Sequence, residues 1–246
     1  MIEKKLSIIT ADGTSHSLLF QPAESGNWPG VIHLTDIGGN RPAHIDMAKR
    51  LANEGYTVLL PNVFFRSGEP PMLEFPIRRD DPAVMKRLQE LLASMTTADM
   101  AKDARHYAEF LQAQAGVSPG HLSIVGYCYT GQMALLGAAA APEQIGAAAS
   151  FHGGGLYTDK PDSPHTYINR IKARLHVGHA KDDSSMPAEA IAKFNTALAE
   201  WGGQYEAKTY DAMHGWCVPD NPSYNKAEAE KAYSALLALL KKSAGQ

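Results

Sequence analysis

The sequence predicts an α/β fold in which a mainly parallel sheet is flanked by helices, opened by an N-terminal antiparallel hairpin. Three observations carry this prediction. Short apolar runs rich in β-branched residues alternate with amphipathic stretches along most of the chain, the pattern of strands joined by crossover helices. The junctions between them hold glycine, proline and aspartate, which suit turns and helix ends. One junction, Gly126-Tyr-Cys-Tyr-Thr-Gly131, turns sharply from an apolar run into an Ala/Leu-rich stretch. The length of 246 residues fits one domain spanning 1–246.

Taken in order, Leu6 to Thr10 and His16 to Gln21 flank the turn-rich Ala-Asp-Gly-Thr-Ser and form the hairpin. Gly30 to Thr35 is a buried strand, Pro42 to Glu54 an amphipathic helix stopped by Gly55, and Thr57 to Leu60 the next strand. Right-handed crossover makes these two strands parallel neighbours. Asn62 to Pro82 lacks clear periodicity and mixes aromatic with basic groups, so it is read as a wall of the substrate site, with Arg66, Arg78 and Arg79 as its cations. Pro82 to Leu92 and Ala98 to Gln114 are helices. Leu122 to Val125 is the strand before the sharp turn, and Ala147 to Phe151, Ala173 to His179 and Tyr205 to Tyr210 are further strands. Pro187 to Trp201 and Lys226 to Lys242 complete the helices.

A net charge of −3 argues against a nucleic-acid partner. An apolar content of 44% with 20% charged residues is ordinary globular composition, and no apolar run is long enough to span a membrane. Two cysteines are too few for a disulfide framework, and the first residues lack the apolar core of a secretory signal, so the expected compartment is the cytoplasm. The histidines at 33, 44, 106, 121, 165, 176 and 179 have no Cys or carboxylate at ligand spacing, so a metal is not expected.

Chemistry in an open parallel sheet sits beyond the carboxyl ends of its strands. Here those ends carry Asp36, Cys128, His152, Asp183 and His214. At the sharp turn, Cys128 would stand at a helix N-terminus, where free N–H groups favour a thiolate and a developing oxyanion. His214 would accept and return its proton, and Asp183 would hold the imidazole in one tautomer, with Asp182 as the rival acid. The order nucleophile, acid, histidine is that of α/β-hydrolases. The oxyanion donors would be the N–H groups of Tyr129 and Ile37. Asp36 would lie beside the thiol and hold it dormant, while Arg78, Arg79, His152 and Trp216 would line the substrate site. Cys217 reads as a buried thiol.

On Val31-Ile-His-Leu-Thr-Asp36-Ile37-Gly38, Gly126-Tyr-Cys128-Tyr-Thr-Gly131, Phe151-His-Gly-Gly154, Asp183-Ser-Ser-Met-Pro187 and His214-Gly215, the chain resembles the dienelactone hydrolase family. The resemblance implies an α/β-hydrolase fold and cofactor-free cleavage of lactones or small esters by a Cys128, His214, Asp183 triad. Family members often have a Glu beside the resting thiol that swings away on substrate binding, and Asp36 stands at that place, one methylene shorter. Dienelactone-cleaving members hold the substrate carboxylate with an arginine four residues after the catalytic His, where this chain has Val218. This departure points to a less acidic ester or lactone. A thioesterase on the same triad and a non-catalytic binding protein are the alternatives. The partner is thus a small molecule, and the protein itself a monomer or homodimer.

Overall fold

The computed structural model describes residues 1–74, 76–78 and 80–244. Strands β1 (Ile2–Thr10) and β2 (Gly13–Gln21) form the hairpin, from Ile2 opposite Gln21 to Thr10 opposite Gly13. β1 starts earlier than its apolar residues suggest, because backbone pairing continues through Glu3, Lys4 and Lys5, whose exposed side chains carry no apolar signal. Such charges also suit an edge strand, since they discourage pairing with another chain.

After the hairpin come β3 (Gly30–His33), α1 (Pro42–Asn53) and β4 (Thr57–Leu60), then α2 (Pro82–Leu92) and α3 (Thr97–Gln112). The second half alternates β5 (Leu122–Tyr127), α4 (Thr130–Ala140), β6 (Ile145–Phe151), β7 (Arg174–Asp182), α5 (Ala188–Trp201), β8 (Tyr205–Met213) and α6 (Lys226–Ala244). Among the described residues these strands form one sheet in the order β1-β2-β4-β3-β5-β6-β7-β8. β1 to β2 and β2 to β4 are antiparallel, and every pairing from β4 to β8 is parallel.

Side-chain alternation divides the core between the two faces. Ile32, Ile124, Ala148 and Leu175 are successive register partners across four strands and pack with Leu111 of α3, Met133 of α4 and Phe194 of α5. Their neighbours Val31, Val125, Ala147 and Phe151 face the other way, toward Leu51 of α1 and Leu236 of α6. The Ala/Gly composition of α4 has a steric reason. A Cβ at Gly137 would come within 2.7 Å of the Ala104 Cβ on α3, so small residues let these two helices approach closely.

Strands β7 and β8 are longer than their apolar runs predict, and the extension positions the site. They pair until Asp182 stands opposite Met213, after a register shift beyond Ala180. The next residues, Asp183 and His214, therefore leave the sheet side by side.

Candidate active site

Cys128 lies between the end of β5 and the start of α4 with φ 55°, a left-handed conformation rarely taken by a residue with a side chain. The flanking glycines make that turn possible. A Cβ at Gly126 would fall 2.1 Å from the Thr130 carbonyl oxygen, and one at Gly131 would fall 2.5 Å from the Ser150 Oγ and 2.6 Å from the Gly153 Cα. The glycine one place late in the motif is thus demanded by contact with the β6 end. Thr130, standing where a second glycine is usual, is fully buried, and its hydroxyl accepts from the Tyr127 N–H at 3.1 Å and donates to the Thr35 carbonyl at 2.6 Å. This side chain ties the turn to the end of β3.

Beside the thiol, the His214 Nδ1 donates to Asp183 Oδ2 at 2.7 Å. The other oxygen, Oδ1, accepts from both the N–H and the hydroxyl of Ser185, at 2.8 and 2.6 Å. Burial would lower the His214 pKa, but Cys128 and Asp183, each through charge and a hydrogen bond, outweigh it and raise the value to about 10. Burial would raise the Asp183 carboxyl, yet its bonds to His214 and Ser185 bring it below the usual carboxylate range. Asp182 differs. Its side chain is exposed, and its backbone carbonyl accepts the His214 N–H at 3.2 Å.

Ile37 follows β3 in a turn organised by Asp36, whose Oδ1 accepts the Gly38 N–H at 2.9 Å. Neither the Ile37 nor the Tyr129 N–H has a hydrogen-bond partner among the described residues. The expectation that Asp36 holds the thiol dormant by accepting its S–H hydrogen bond requires correction. Its carboxylate is gripped by Arg41, with Nη1 and Nη2 at 2.6 and 2.8 Å from its two oxygens, and His44 lies 3.4 Å away. Burial alone would push this carboxyl up; His44 and Arg41 overcome that and hold it well below the usual range. Arg41 also donates from Nε and Nη2 to the two Asp220 oxygens at 2.7 and 2.9 Å. One guanidinium therefore bridges the loop after β3 and the loop after β8.

Above Cys128 opens a cleft of about 850 Å³, lined among others by Ile37, Leu88, Tyr129, Asp183, Met213 and His214. Three expected lining residues lie elsewhere. Trp216 is fully buried and stacks on Tyr210, so it is core. His152 is 1% exposed; its Nδ1 accepts the Cys128 N–H at 3.1 Å, and its ring packs edge-on against His214 and Trp216. Burial, helped by the neighbouring His214 charge, keeps this imidazole well below its ordinary pKa and so neutral. His152 thus supports the backbone of the turn. Arg78 is exposed and paired with Asp81, and Arg66 bridges Asp103 and Asp12. Arg79 lies outside the described residues. Of the 62–82 segment, Ile77 reaches the cleft, while Arg66 and Arg78 are paired with aspartates away from it.

Cys217 lines a separate cavity of about 160 Å³ with Met47, Tyr127 and Leu236, and burial pushes its thiol well above the ordinary value. Among the described residues no group of three or more His, Cys, Asp or Glu is arranged to hold a metal ion. No described helix is long and apolar enough to cross a membrane. Sequence reasoning missed Arg41 and Ser185. The Asp-x-Ser spacing after β7 could have signalled Ser185, since a hydroxyl two residues on commonly meets the aspartate.

Comparison with known proteins places the chain among relatives of known family. Carboxymethylenebutenolidase of Rhodococcus opacus is 27% identical over 222 residues, covering 83% of this chain and 78% of its own length. A protein of Escherichia coli K12, provisionally named carboxymethylenebutenolidase, is 28% identical over 231 residues, covering 92% of this chain and 82% of its own. The solved structure of a provisionally named dienelactone hydrolase from Klebsiella pneumoniae superposes with a TM-score of 0.85 at 26% identity, covering 98% of each chain. The sequence profile of the dienelactone hydrolase family matches residues 16–244. That match reaches from β2 through α6 and takes in every strand end that borders the cleft, so the chain belongs to the dienelactone hydrolase family of hydrolases.

Proposed function

We propose that this hydrolase cleaves a carboxylic ester or lactone by acyl transfer to Cys128. The observation that carries the reading is the bond from His214 Nδ1 to Asp183 at the foot of the cleft that also exposes Cys128. With Nδ1 committed to the carboxylate, Nε2 is the nitrogen left for the thiol. The imidazole holds the proton given up by the thiol, sulfur attacks the carbonyl carbon, and the C–O bond to the leaving group then breaks with that proton passing to the departing oxygen. Water, deprotonated by His214, attacks the thioester and releases the acid and the free thiol. The N–H groups of Ile37 and Tyr129 are the donors for the oxyanion formed in each step.

Two expected results test this reading. Incubation with p-nitrophenyl acetate yields an acyl adduct on Cys128 visible by intact mass, and Cys128→Ala loses both adduct and turnover while retaining the parent's circular dichroism spectrum. Undiminished turnover in that variant sinks the proposal.

A further inference from the structure

The walls of the cleft differ in character, and strand order says which part of a substrate each meets. In the sheet, β5 lies between β3 on one side and β6, β7 and β8 on the other. Cys128 follows β5, so Ile37 after β3 and His214 after β8 lie on opposite sides of the thiol. On the acyl-transfer reading proposed above, His214 delivers a proton to the leaving group and must face it. The acyl chain then runs toward the Ile37 side.

That side is apolar. Ile37, Ile77, Leu88 and Leu92 line the cleft there with Tyr129, whose hydroxyl is committed to the Leu92 carbonyl at 2.9 Å. The His214 side carries Asn221 and Ser223 beside Met213 and Pro222. Among the described residues no Lys or Arg lines the cleft, and its carboxylates are Asp182 and Asp183. Arg66 and Arg78 are paired with aspartates, and Arg87 donates to the Ser67 carbonyl at 2.9 Å. Val218, four residues after His214, is fully buried. A substrate carboxylate in the acyl pocket would lose water against Leu88 and Leu92 with no described cation to replace it, in the field of two aspartates.

We infer that the acyl pocket selects an uncharged apolar group: the substrate class is a neutral ester or lactone of an aliphatic or aryl acid, and Ile77, Leu88 and Leu92 determine that specificity. The test compares p-nitrophenyl butyrate with p-nitrophenyl hemisuccinate, whose acyl chains have equal carbon count and differ by a terminal carboxylate. The expected kcat/KM is at least about tenfold higher for the butyrate, and from acetate to butyrate it rises by up to about fourfold per buried methylene. Leu92 is 46% exposed, so Leu92→Arg is tolerated by the fold and is expected to move the butyrate to hemisuccinate ratio about tenfold toward the anion. Hemisuccinate turned over as fast as butyrate by the parent overturns the inference while leaving the acyl-transfer reading intact. No turnover of either ester, with no adduct on Cys128, overturns both.

Discussion

At Asp183 one carboxylate is divided between two neighbours: Ser185 holds Oδ1 and His214 takes Oδ2. The serine leaves the acid a single orientation, so the imidazole meets an aligned acceptor. Asp182 cannot substitute, because it is the last residue of β7 and its side chain is exposed. Asp183→Asn removes a charge that raises the His214 pKa, so that pKa is expected to fall from about 10, as read by NMR titration of the imidazole. An amide also permits the wrong tautomer, and turnover of p-nitrophenyl butyrate is expected to drop by roughly two to four orders of magnitude. An unchanged imidazole pKa would show that Asp183 does not govern His214.

At the scale of elements, Arg41 joins two loops that the chain keeps far apart. It is the N-cap of α1, and nothing local in Gly38-Gly-Asn-Arg41-Pro42 marks it as important; its partners Asp36 and Asp220 are five and 179 residues away. Removing one partner of a buried pair leaves the other desolvated and alone, a loss of about 3–5 kcal/mol that exceeds what an exposed pair such as Arg78–Asp81 can contribute. Arg41→Met is expected to lower the urea midpoint accordingly, and adding Asp36→Asn, which removes the stranded charge, to restore part of it. An unaltered midpoint in the single variant refutes this account. The sign for pH follows from Asp36, whose folded pKa is depressed: its stabilisation is present above the unfolded value near 4 and fades only as pH falls toward the lower folded value.

On the scale of the whole molecule, the side chains around the thiol come from the ends of β5, β7 and β8, so their coupling depends on the sheet being assembled. His214 is a group whose folded pKa is raised. Its stabilisation is fully present below the unfolded value of about 6.5 and is lost as pH rises through about 10. The urea-midpoint difference between the parent and His214→Gln is therefore expected to be largest near pH 6 and to shrink toward pH 10; a difference independent of pH would contradict it. Much of this was legible in one dimension. Apolar periodicity marked the strands and helices, and Gly126 and Gly131 marked the turn around Cys128, because both reflect local demands on the backbone. Strand ends were harder: β7 and β8 run past their apolar residues to Asp182 and Met213, and backbone pairing continues where side chains give no signal. The sequence by itself determined the alternating architecture and the strained turn, since each follows from residues within a few positions of one another. Only the tertiary structure decided that Arg41 takes the Asp36 carboxylate, that His152 and Trp216 pack behind the site and that the acyl wall is apolar. Those outcomes rest on distances between residues remote in the chain, where ion pairing and packing choose among partners that a local pattern cannot rank.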